Sequence, residues 1–113
     1  SMVAALDDLA TQAPTGRRVA VLGDMLELGE GELDAHREIG KHAASTGVDV
    51  LVAVGPLSTT AMPETFNGEI HLAADAAEAA ELTAGLVHAG DIVLVKASRG
   101  IGLETVAEAL ARG

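Results

Sequence analysis

The chain has 113 residues, enough for one hydrophobic core but too few for an enzyme that needs several substrate domains. Seventeen acidic residues against seven Lys and Arg give a net charge of −10, and the one aromatic is Phe66. That balance argues against a phosphate-backbone footprint and against base stacking, so neither nucleic acid nor an anionic membrane is an expected partner. The absence of cysteine excludes a disulfide framework, a thiol nucleophile and a Cys-based zinc site. No apolar run nears the roughly 18 residues of a membrane span, and no basic-then-apolar leader opens the chain. The expected location is cytoplasmic.

In chain order, Val3, Leu6, Leu9 and Ala10 predict a helix before Pro14. Arg18–Leu22 is a short apolar run of strand type. Leu33, His36, Ile39, Gly40 and Ala43 then follow helical spacing up to a stop at Gly47. Val50–Val54 and Glu69–Ala73 read as further strands. Asp75 is placed to cap an Ala/Glu-rich helix over Ala76–Ala89, which ends at Gly90. Ile92–Val95 is the fourth strand, and Leu103, Val106, Ala107 and Leu110 form the stripe of a last helix.

Strand runs that are apolar without alternation suit burial on both faces. Helices between them call for a single α/β domain over residues 1–113: Rossmann-like, three-layered, with a mainly parallel sheet and right-handed crossovers. The chain opens on a helix and leaves only four strands, so the expectation is a fragment that lacks its first strand.

Ligands in such sheets collect beyond the carboxyl ends of the strands. Those ends carry Gly23 and Asp24, Gly55, Asp75, and the run Lys96-Ala-Ser98-Arg99-Gly100-Ile-Gly102. Lys96 and Arg99 are the only Lys or Arg between Ala43 and Ala111. Arg offers a planar fork to a carboxylate, Lys a point charge and Ser98 a hydroxyl, so the three form a candidate anion clamp. The alternative is two surface cations answering nearby carboxylates. Asp24 could orient an amine, a ribose or a metal-bound water, or simply cap a helix; Glu27 could be merely solvated. His36 is either a satisfied, half-buried histidine or a residue that orients the Gly23–Gly29 loop. His42, His71 and His88 show no ligand spacing, and no metal site is expected.

Ala97–Gly102 is similar to the glycine turn of short-chain dehydrogenases, which suggests a nucleotide-binding oxidoreductase fragment. That turn belongs to a first βα unit, whereas this one lies in the last; no Tyr follows to act as acid. A P-loop is also absent. A non-catalytic interaction domain is a further alternative.

Gly23-Asp-Met-Leu-Glu-Leu-Gly29 with His36, then Val93-Leu-Val-Lys-Ala-Ser-Arg99 with Leu103-Glu104, resembles the C-terminal domain of Mur ligases. The one departure is Ala97 at a position where the family pattern has glycine. The resemblance covers essentially the whole chain. It implies a parent enzyme that uses ATP and Mg2+ to activate the terminal carboxylate of a UDP-N-acetylmuramoyl tripeptide. The amine of D-alanyl-D-alanine would then form the new amide, a step in peptidoglycan precursor synthesis. It also implies N-terminal and central domains as partners, and no catalytic residue in this fragment alone. Lys96, Ser98, Arg99 and Asp24 would bind substrate, while Gly23, Gly29, Gly100, Gly102 and His36 would shape the loops.

Overall fold

The computed structural model describes residues 1–25, 29–97 and 102–112. The elements run α1 (Met2–Ala10), β1 (Arg18–Gly23), α2 (Glu32–Ser45), β2 (Val50–Val54), α3 (Pro56–Ala61) with a 3₁₀ turn (Met62–Glu64), β3 (Glu69–Ala73), α4 (Ala76–Leu86), β4 (Ile92–Lys96) and α5 (Glu104–Arg112). All four strands are parallel, in the order β3-β2-β1-β4. The two central strands are the most apolar: β2 is buried throughout, and β1 from Val19 onward.

Side chains alternate across these central strands, and each face has its own core. Ala20, Leu22, Leu51 and Ala53 pack with Met2, Leu6 and Leu9 of α1, Ile39 and Ala43 of α2, Met62 and Phe66. Val21, Val52 and Val54 face Ala79 and Ala80 of α4, together with Leu103 and Val106 at α5. The result is helix, sheet, helix. The crossovers through α2 and α3 lie on one face, and the return through α4 lies on the other, as a right-handed winding requires.

Two helical boundaries differ from the sequence reading. The α3 segment and its 3₁₀ turn were not expected; Pro56 at its first turn is the one local signal of a helix start. Helix α4 stops at Leu86 rather than Ala89, because Val87 turns extended. Nη2 of Arg17 donates to the Leu86 carbonyl (2.7 Å), and the His88 N–H donates to Asp91 (2.9 Å), so the chain beyond Leu86 is tied to the sheet. Asp75 caps α4 as expected, its carboxylate accepting from the Glu78 N–H at 2.9 Å.

Candidate functional site at the carboxyl edge of the sheet

Parallel strands deliver their exits to one edge, and β1 delivers Asp24 and Met25. Asp24 is 2% exposed. Of the two readings of Asp24, the structure shows the helix cap: its carboxylate accepts from the N–H groups of Leu57 (3.1 Å) and Ser58 (2.7 Å) in the first turn of α3. Gly55 is the N-cap of α3 and has no side chain for that task. Asp24 therefore supplies a cap from the neighbouring strand, satisfying two otherwise unpaired helix donors. Gly55 has φ +103°, and a Cβ there would stand 2.7 Å from the Asp24 Cγ. Glycine is required on both counts.

His36 is fully buried on α2, not half-buried. Its Nε2 accepts from the Met25 N–H at 3.0 Å, and its Nδ1 lies 2.6 Å from the Glu32 carbonyl. Only the neutral tautomer with hydrogen on Nδ1 satisfies both contacts. The imidazole thus holds the first residue after Asp24, at the root of the loop that ends at Gly29 (φ +67°).

An open groove of about 460 Å³ lies beside this root, lined by Gly29 and Gly31, by Glu32, Leu33, Asp34 and Arg37 of α2, and by Leu57 of α3. Arg37 bridges Asp34 and Glu64, each at 2.6 Å, and those two hydrogen bonds hold the guanidinium above its ordinary pKa. At the other end of the edge, Lys96 closes β4 in register with Leu22 and is exposed. Gly23, the last residue of β1, is buried, and Gly102 enters α5 with φ +70°. Ser98, Arg99, Gly100 and Glu27 lie outside the described residues. Among the described residues, no group of three or more His, Asp or Glu side chains could hold a metal, and no helix is long and apolar enough to cross a membrane.

A doubly wound, all-parallel sheet of four strands flanked by helices, with Asp24, Gly55, Asp75 and Lys96 at the carboxyl ends of its strands, defines an α/β domain of the Rossmann-like class. Within that class, the chain belongs to the Mur ligase family: residues 1–99 match its glutamate ligase domain. The UDP-N-acetylmuramoyl-tripeptide–D-alanyl-D-alanine ligase of Mycobacterium leprae is 38% identical over 101 residues, which are 83% of this chain and 20% of that protein. The Escherichia coli protein of the same name is 36% identical over 111 residues, 97% of this chain and 24% of that one. MurF from Acinetobacter baumannii superposes with a TM-score of 0.85 at 28% identity, covering all of this chain and 26% of that structure. The Thermotoga maritima MurF ligase, solved with ADP, gives 0.68 at 30% identity over 88% of this chain and 22% of that structure. The chain spans about a quarter of the length of these relatives.

Proposed function

We propose that this chain is the C-terminal domain of a cytoplasmic, ATP-dependent ligase that joins D-alanyl-D-alanine to UDP-N-acetylmuramoyl-tripeptide in peptidoglycan precursor synthesis. The observation that carries the reading is the match of nearly the whole chain to about a quarter of the length of enzymes with that name. The domain closes over a site built largely by other domains, a gating motion of a familiar kind. No tight binding of ATP or Mg2+ by this chain alone is expected, because its sequence has no P-loop. The preceding domains are assigned that task, and the 113-residue chain alone is inactive.

Within the chain, the proposed contacts with the dipeptide are Lys96 and Arg99, whose charges match its carboxylate, and Ser98, whose hydroxyl can donate to it. Asp24 acts there through the loop it anchors, because both its oxygens are already engaged. Helix α1 packs on the same face as α2, so a right-handed crossover would place any strand leading into α1 beyond β4, on the sheet's open side.

The test is Arg99→Ala in the longer protein. Loss of one charge-assisted bond, worth about 1.5–3 kcal/mol, lowers kcat/KM for the dipeptide by about 10- to 100-fold. An unchanged kcat/KM would remove Arg99 from the dipeptide site.

A further inference from the structure

Two buried polar groups, Asp24 at the exit of β1 and His36 on α2, bond to residues that line the same groove. Asp24 grips the backbone N–H of Leu57, and Leu57 lines the groove from α3. His36 grips Met25 on one side and the Glu32 carbonyl on the other, and Glu32 lines the groove from α2. Asp24 and Met25 are adjacent, so the two grips meet at one peptide unit. The backbone adds a third tie: the Asp24 N–H donates to the Val54 carbonyl at 3.1 Å, while the Gly55 N–H donates to Ala73 at 3.0 Å. The exits of β1, β2 and β3 are thereby joined in series.

Resting on the ligase reading above, we infer that Asp24 and His36 are positioning residues: a two-armed clamp that fixes the exit of β1, at Asp24 and Met25, against the two helices whose residues line the groove. Neither side chain is open to a ligand. Each is buried, with its polar atoms committed to backbone partners. A buried carboxylate on two helix N–H groups and an imidazole in one tautomer are geometrically exacting, since losing either partner strands a buried donor or acceptor. Purely local stabilisation would need no shared groove, and five of the groove's seven lining residues lie on α2 and α3, the helices that these arms tie together.

Amide hydrogen exchange on the 113-residue chain tests the clamp. In the unsubstituted protein, the amides of Met25, Leu57 and Ser58 are protected. Asp24→Asn keeps one acceptor and puts an NH2 against the other donor; Leu57, with the longer bond, exchanges about tenfold faster while Ser58 stays protected. His36→Gln retains an acceptor for Met25, and His36→Leu does not, so only the leucine variant exposes the Met25 amide. Equal exchange at Leu57 in Asp24→Asn and the parent, or no difference between the two His36 variants, would overturn the clamp. Both Asp24→Asn and His36→Gln are near in size to the native residue, which keeps the test decisive where a harsher variant does not fold.

Kinetics of the longer protein test the positioning role. His36→Leu lowers kcat/KM for the dipeptide by about tenfold, and His36→Gln restores most of it. Altered exchange with unaltered kcat/KM would overturn the positioning role and keep the clamp as architecture. Absence of ligase activity in the unsubstituted protein would instead contradict the proposed function, with the exchange result still deciding the clamp.

Discussion

Asp91 shows how one side chain can tie distant segments together. It is almost fully buried, and it receives the N–H of Arg17 (2.8 Å), the N–H of His88 (2.9 Å) and the Arg17 guanidinium (3.2 Å). The two backbone donors, led by Arg17, and then the guanidinium hold its carboxyl down to about 2. A depressed carboxylate contributes stability that is fully present above its ordinary value near 3.8 and is lost as pH falls toward 2. Urea unfolding at stepped pH is therefore expected to show falling stability across that window, and Asp91→Asn to be less stable at neutral pH and flatter below it. Gly55→Ala is the second prediction at this scale. It forces a methyl onto the Asp24 carboxylate in a backbone region that only glycine occupies readily, so the midpoint should drop by about 1–3 kcal/mol equivalent. The sequence carried Asp24 only as an ambiguous strand-end carboxylate, because the helix it caps lies 33 residues later. Burial of His36 was legible from its place on the apolar stripe, but its bond to a backbone N–H eleven residues back was not.

The four strands and four of the helices could be read from the sequence because each is specified by local periodicity and a nearby stop. Val50–Val54 has nothing but apolar residues and is buried on both faces, so its pattern and its environment agree. Helix α3 escaped because Pro-Leu-Ser-Thr-Thr-Ala has no apolar stripe of helical period; its stability comes from Asp24 and from docking on α2, both non-local. The same logic sets the predictions for the elements. Leu6 is fully buried between α1 and the sheet, and Leu6→Ala should cost about 2–5 kcal/mol in chemical unfolding. Asp75→Ala removes only the cap of α4 and should cost about 1 kcal/mol. A Leu6→Ala loss no larger than that of Asp75→Ala would mean that α1 does not dock as described.

At the scale of the whole molecule, the open side of the sheet distinguishes the two edges. The outer strand β3 carries the Glu69 carboxylate, hydrogen-bonded to His71 at 2.7 Å, and charge on an edge discourages further pairing. The other edge strand, β4, is apolar from Ile92 to Val95 and only partly buried. In a longer protein with a strand leading into α1, the outward amides of β4 are expected to exchange more slowly than in the 113-residue chain; equal rates would contradict that placement. The family was legible because two motifs fall at the exits of adjacent strands, where chemistry concentrates. Ser98 and Arg99 lie outside the described residues. The most direct test of the account is ADP release by the longer protein, supplied with ATP, Mg2+ and UDP-N-acetylmuramoyl-tripeptide, with and without D-alanyl-D-alanine. The account predicts ADP formation that depends on the dipeptide and matches the ligated product one for one. A folded protein that releases no ADP in response to the dipeptide, or releases it without product, would contradict the ligase reading.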